Sequence, residues 1–276
     1  PVLSRGLGDV YKRQPMVAPL AAMIRERPLP EGDGREEIQR IADYKNRLKS
    51  WYYTSAVVGR YGQGTDSKQT QDFTNMSVWF GRGGGDWFDN SPTWMTESGA
   101  QPWNMMGAIY KATLSMLNSR FPRDWMATDQ IVGYGEHATD SDLHHVFPRA
   151  YMVERIQREH DCTQAAALKR FKNSDFYGGL GYAGDTVMNK VWLKDSTNRN
   201  YISDQPPSVY LSEMIRIHGE QNMRDTLSLQ GINDLAFNAM LEDDYQSFIE
   251  QRVITISQLM SNAGNFADMN NAREEE

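Results

Sequence analysis

Cysteine is nearly absent: Cys162 is the single one in 276 residues. That excludes a disulfide framework and a zinc site built on cysteine thiolates, and it fits the reducing cytoplasm where the protein is expected to work. Long apolar runs are absent too. Uncharged stretches such as residues 15–24 fall well short of the ~20 apolar residues that a membrane span needs. The opening residues have no basic start followed by an apolar core, so no secretory signal is read there. Positive charge is in deficit, with 29 Lys and Arg against 36 Asp and Glu and a net charge of −7. This argues against a protein that coats nucleic acid over its whole surface, but not against one that meets phosphate in a single groove. No internal repeat occurs, and Gly83-Gly84-Gly85 lacks the Gly-Lys-Ser/Thr of a phosphate-binding loop.

The hydrophobic content, 39%, is enough to pack one large domain or two small ones. Ile38, Ile41, Tyr44, Leu48, Trp51 and Tyr52 recur by threes and fours and predict a helix over residues 35–61, ended by Gly59 and Gly62. Residues 62–102, rich in Gly, Ser, Thr and Asn, read as loop with short helical pieces. Further helices are expected over residues 103–120, 149–160, 163–172 and 235–260, and from Pro206 to the stop at Gly219. Short extended runs fall at residues 143–147 and 187–193. The fold class is therefore mainly α with a small embedded β element, α+β overall. At the amino end, Gly-Asp-Val-Tyr-Lys-Arg-Gln at residues 8–14 resembles one reading frame of a sequencing-adapter transposon end. Residues 1–14 are thus expected to be adapter-derived or disordered, and the chain to be an amino-terminally truncated metagenomic fragment.

Charge is spread unevenly. Residues 144–200 carry nine Lys and Arg against six Asp and Glu, whereas residues 201–276 carry four against thirteen. The basic-leaning stretch holds a histidine pair within Asp142-Leu143-His144-His145-Val146-Phe147-Pro148. Asn189-Lys190-Val191-Trp192-Leu193 and Thr197-Asn198-Arg199-Asn200 follow it. Such residues suit phosphodiester hydrolysis, which needs a deprotonated water in line with the leaving oxygen and relief of the charge that builds on phosphate. A neutral imidazole with a pKa near ~6.5 can take that proton at cell pH. A loosely held divalent cation that keeps some of its waters supplies the electrostatic half. An asparagine carbonyl oxygen ligates a hard cation without adding negative charge, and a second carboxamide can brace a loop by hydrogen bonds to its backbone.

Strand, strand and helix contributing His, Asn and Asn in that order resemble the HNH, or ββα-metal, nucleases. More narrowly, the chain resembles the carboxy-terminal HNH domain of GmrSD-type restriction endonucleases, modification-dependent enzymes of bacterial phage defence. Residues 142–151, Asp-Leu-His-His-Val-Phe-Pro-Arg-Ala-Tyr, are close to that family's Asp-x-His-His-Ile-Phe-Pro-Arg/Lys-Ala-Tyr. Asn189-Lys-Val-Trp-Leu, Thr197-Asn-Arg, Ile202-Ser-Asp and Pro207-Ser-x-Tyr-Leu are similar to its second block, which also looks like the HNH domain of RNA-guided CRISPR effectors. With the stretch from Trp51 to Tyr61, Gly107-Ala-Ile-Tyr-Lys-Ala, and Phe248 with Arg252, the resemblance covers most of residues 35–260.

The resemblance implies an endonuclease that hydrolyses DNA phosphodiester bonds with a divalent metal, Mg2+ or Mn2+. It makes His145 the general base and Asn189 the residue that fixes the histidine loop. It makes His144 and Asn198 the metal ligands, with His144 standing where many relatives have Asp or Glu. Asp142 and Arg199 are further candidates, for orienting an imidazole and for holding phosphate. Neighbours in a regular strand face opposite sides, so both histidines can share a site only if the strand bends or bulges. The implied partners are DNA and a missing amino-terminal nucleotide-hydrolysing or nicking domain or partner subunit. The implied organisation is a helical region at residues 15–125, a nuclease core with a helical insertion at 126–218, and a helical extension with a disordered tail at 219–276. Two other readings stay open: a degenerate module of a phage-defence complex that binds DNA or a partner without cutting, and a structural metal site, against which the lack of cysteine ligands argues.

Overall fold

The computed structural model describes residues 14–26, 34–57, 60–61, 65–82, 108–133, 140–172 and 184–264. The expectations for residues 1–13, Gly59, Gly62, Gly83-Gly84-Gly85, Gly107 and the tail beyond residue 264 lie outside the described residues. The chain divides into two compact units, Pro1–Pro92 with Ser261–Glu276, and Thr93–Met260. This division differs from the expected one, because residues 108–125 and 219–260 join the central segment in a single unit. Among the described residues, no helix is long and apolar enough to cross a membrane.

The first unit contains α1 (Gln14–Glu26), α2 (Arg35–Val57) and α3 (Thr65–Arg82). α2 follows the apolar periodicity of its sequence. α3 is a difference, since 18 continuous helical residues stand where a loop was expected. Its Thr, Ser and Asn residues have weak helix propensity, and tertiary burial decides instead. Met76 of α3 packs against Met23 of α1 and Trp51 of α2, with Leu20, Leu48, Tyr52, Tyr61 and Phe73 around them. One turn earlier, the fully buried Asp72 accepts hydrogen bonds from Trp51 Nε1 at 3.2 Å, from Arg60 Nε at 2.7 Å and from the Tyr61 hydroxyl. A carboxylate so placed is satisfied by donors from both neighbouring segments, which makes the burial tolerable.

The second unit holds α4 (Ala108–Asn118), β1 (Ser141–His145), α5 (Arg149–His160), α6 (Gln164–Lys172), β2 (Lys190–Lys194), α7 (Asp195–Thr197), α8 (Pro207–His218), α9 (Glu220–Ser228), α10 (Asp234–Leu241) and the start of α11 (Tyr245–Gly264). The described chain is mainly helical, with one two-stranded antiparallel sheet. α8 opens after Pro206 and stops at Gly219, whose φ of +82° suits the residue that ends a helix. The helix expected over residues 235–260 is instead two, α10 and α11. Asp243 takes φ +53° between them, and its carboxylate accepts hydrogen bonds from Ser208 N and Oγ at 2.8 and 2.7 Å. The break thus anchors the first turn of α8. α9, which was not expected, buries Met223 and Leu227.

Trp125, Phe147, Phe171, Tyr210, Phe237 and Phe248 are fully or almost fully buried in this unit. Each such side chain contributes roughly 1.5–3 kcal/mol of transfer free energy. The Phe147 ring lies 5.2 Å from Tyr245 and 5.1 Å from Phe248, so the second residue after the histidine pair is held by α11. Buried polar groups then set the position of β2. Gln230 accepts from Trp192 N at 2.7 Å and donates to Trp192 O at 2.9 Å, pairing with the free edge of the strand as another strand would. Arg252, fully buried on α11, donates to Met188 O at 2.7 Å and to Gln230 O at 2.9 Å. Desolvation pulls its guanidinium down to about 9.

Asp124, also fully buried, ties three segments together. It accepts hydrogen bonds from Met126 N and Ala127 N, from Lys194 N at the end of β2, and from the Thr197 hydroxyl at 2.6 Å. Thr197 immediately precedes Asn198, so this carboxylate fixes where the second asparagine begins its turn. Replacing it with alanine orphans four donors. Asp124→Ala is expected to destabilise the folded unit by about 3–5 kcal/mol, read as a lowered thermal midpoint; a midpoint like that of wild type would contradict the assignment.

Candidate functional site

β1 and β2 pair antiparallel in strict register, from Ser141 opposite Lys194 to His145 opposite Lys190. No bulge interrupts β1, so the bend anticipated for the histidine pair is absent. The two imidazoles obey strand alternation and meet different carboxylates. His145 Nε2 lies 2.8 Å from Asp185 Oδ1, ahead of β2. His144 Nε2 lies 3.4 Å from Asp195 Oδ1, just beyond β2. Both histidines nevertheless line the same cleft of about 860 Å³, together with Asn198, Pro148, Arg149 and Asp204.

Asn189 is fully buried and joins the two sides of this arrangement. Its Oδ1 accepts from Phe147 N at 2.9 Å, and its Nδ2 donates to Phe147 O at 3.1 Å and to Gly184 O at 3.0 Å. Its own carbonyl accepts from Val146 N at 2.9 Å. The loop after His145 and the residue before Asp185 therefore hang on one side chain. Tyr210 adds a hydrogen bond from its hydroxyl to Val146 O at 2.6 Å. Gly184 has no room for a side chain, since a Cβ there would stand 2.0 Å from the Phe171 ring. Val187–Asn189 is a 3-10 turn where an extended run was expected, capped by the Thr186 hydroxyl, and it turns the Asn189 carboxamide inward before β2 starts.

Asn198 opens a π-helical turn, Asn198–Ile202, that continues from α7. Its carbonyl accepts from Ser203 N at 2.6 Å, and Ser203 closes the turn with φ +46°. Widened turns of this kind cost helix stability and recur at functional sites. The other two candidates lie differently. Asp142 is exposed and accepts from Leu143 N at 2.7 Å, and it hydrogen-bonds neither imidazole. Arg199 is 73% exposed, pairs with Asp195 at 3.6 Å, and does not line the cleft.

Burial favours the neutral form of both rings. Burial pushes His145 below its ordinary value against the pull of Asp185, and the cations Lys190 and Arg149 add to the shift. Burial lowers His144 too, opposed by Asp142 and Asp195. Burial alone would raise Asp185, but His145 and Lys190, whose Nζ lies 3.6 Å away, outweigh it and hold the carboxyl below its usual range. A neutral ring with a carboxylate on one nitrogen is a proton acceptor at the other. Among the described residues, no three His, Cys, Asp or Glu side chains gather at metal-ligand spacing. A cation here would therefore need the Asn198 carboxamide. The donor chemistry fits one, because His144 Nε2 is buried with no hydrogen-bond partner.

Sequence reasoning missed Asp185, Asp195, Arg149, Asp124 and Tyr210. Arg149 stands inside the quoted histidine motif but received no role, although it is the cation that borders the cleft. Asp185 followed a glycine-rich stretch that had been read only as the end of a helix.

The chain is 21% identical over 245 residues to a protein of Methanocaldococcus jannaschii named "Uncharacterized protein MJ0686", covering 83% of this chain and 34% of that one. It thus spans about a third of the length of the curated relative it matches. No family model matches the chain, and no solved structure matches it significantly.

Acid should destabilise this site. The unfolded histidines take up protons below about 6.5, where the depressed folded rings do not, so their contribution falls as pH drops through that value; the depressed Asp185 adds a further loss at lower pH. The thermal midpoint without metal is expected to fall between about pH 7.5 and about pH 5.5, and to fall less in His145→Asn. Equal acid sensitivity of the two proteins would contradict this.

Proposed function

We propose that the chain is a metal-dependent DNA endonuclease, the nuclease part of a GmrSD-type modification-dependent restriction enzyme of phage defence. The observation that supports this best is the convergence of His144, His145 and Asn198 on one cleft. More than fifty residues separate the histidines from the asparagine, and their order matches the motif.

In this reading His145 is the general base. Asp185 accepts from Nε2–H and so selects the tautomer whose Nδ1 lone pair takes the proton of the attacking water. Asn189 braces the loop that carries His145. Arg149 borders the cleft with no carboxylate within 4.0 Å among the described residues, and it holds a non-bridging phosphate oxygen, the role first given to Arg199. A divalent cation, Mg2+ or Mn2+, bound by His144 and Asn198, would neutralise charge on the scissile phosphate and the leaving oxygen. The cleft admits DNA despite the net charge of −7 because the recognition is local.

With Mg2+ or Mn2+ the chain is expected to nick supercoiled plasmid, and His145→Ala to lose at least about 10²-fold in rate with an unchanged circular dichroism spectrum. Full activity of that variant would remove His145 as base. DNA binding with no cutting under either metal would favour the non-cutting binding module. Arg149→Gln is expected to raise the DNA concentration at half-maximal rate, and to lower the slope of log binding constant against log salt by about 1. An unaltered slope would show that Arg149 touches no phosphate.

A further inference from the structure

His144 and Asn198 are both neutral ligands when they bind a metal. Hard divalent cations favour carboxylate oxygens, and an imidazole with a carboxamide brings no negative charge to offset the ion. Asp195 does not itself line the cleft, but it lies 3.4 Å from His144 and three residues before Asn198. It precedes Asn198 by three residues in a continuous helical turn, where Asn198 keeps right-handed helical angles, so the two share a face. Its two carboxylate oxygens are divided. Oδ2 faces Arg199 Nη2 at 3.6 Å, and Oδ1 faces His144 Nε2 at 3.4 Å.

That last pair is informative. Nε2 is buried and makes no hydrogen bond, even to the carboxylate next to it. When the ring carries its proton on Nδ1, Nε2 turns a lone pair toward Oδ1, and a cation between them would be held by both. Neighbouring ligands of an octahedral Mg2+, each about 2.1 Å from the ion, lie roughly 3.0 Å apart, close to the observed separation. The geometry points to Asp195 as a third protein ligand, supplying through Oδ1 the negative charge that His144 and Asn198 lack. Its purpose in catalysis rests on the nuclease reading; its binding of the ion does not. The donor set is then His144 Nε2, Asp195 Oδ1 and the Asn198 carboxamide oxygen, with water and phosphate completing the shell. Arg199, poised on Oδ2, orients the carboxylate.

The test is a titration of the full chain with Mn2+ alone, followed by electron paramagnetic resonance and calorimetry, comparing wild type with Asp195→Asn. Asn is close in size and the site is half exposed, so the fold should survive; the thermal midpoint without metal checks this. Wild type is expected to bind one Mn2+, and D195N to bind it at least about tenfold more weakly. The rise in thermal midpoint that Mn2+ gives wild type should shrink accordingly. Equal Mn2+ affinity in the two proteins would overturn the inference and leave Asp195 as a surface partner of Arg199. So would the absence of Mn2+ binding by wild type. If D195N loses Mn2+ while wild type never nicks plasmid, the ligand stands and the nuclease reading falls. If wild type nicks plasmid while D195N binds Mn2+ normally, only the ligand falls.

Discussion

The Asn189 carboxamide makes three hydrogen bonds in a fully dry position, two to Phe147 and one to Gly184. Neither segment it joins is itself part of a helix or strand at the point of contact. The chain leaves β1 at His145 and does not become helical until Arg149, while Gly184 and Asp185 precede the short turn before β2. A buried amide left half-satisfied would cost about 1–3 kcal/mol per lost partner, so the geometry is strongly specified. His145 and Asp185 come within 2.8 Å where Phe147, two residues after the one, and Gly184, just before the other, share this side chain.

Charge follows the same economy. Each imidazole has its own carboxylate, Asp185 for His145 and Asp195 for His144, and each carboxylate has a cation beside it: Lys190 shares the Asp185 oxygen that meets His145, and Arg199 faces the other oxygen of Asp195. Such linked pairs orient side chains without leaving large net charge in a half-buried place. Arg149 has no carboxylate of this kind within 4.0 Å among the described residues. In the proposed reading it is the cation at the cleft that meets phosphate. The acidity of the whole chain lies mostly beyond residue 200, away in sequence from these groups.

Much of this could be read from the sequence, and the misses have physical reasons. Helices with strong amphipathic spacing and proline or glycine punctuation, such as α2, α5 and α8, were legible because their signals are local. α3 was not, because its Thr, Ser and Asn residues are poor helix formers and the packing of Met76 and Phe73 with Met23 and Trp51 is invisible in local sequence. The break between α10 and α11 depends on Asp243 reaching Ser208, 35 residues away, which no periodicity reveals. At the site, motif spacing found side chains that line the cleft. It could not find those that hold them, Asp124, Asp185 and Tyr210, since aspartate in a loop and tyrosine in a helix look ordinary until folding brings a partner. Asp142, the candidate for orienting an imidazole, lies close to the histidine pair in sequence, whereas Asp185, which meets His145, lies forty residues away.

The central claim is that one cleft gathers a base, a cation and a scissile phosphate. A crystal structure of the chain with Mn2+ and a phosphorothioate DNA duplex that resists cutting examines all three at once. The account predicts an anomalous peak touching both His144 and Asn198, with the His145 ring within hydrogen-bond reach of the oxygen in line with the phosphorothioate. Manganese bound elsewhere, or DNA crossing another face of the unit, would contradict it.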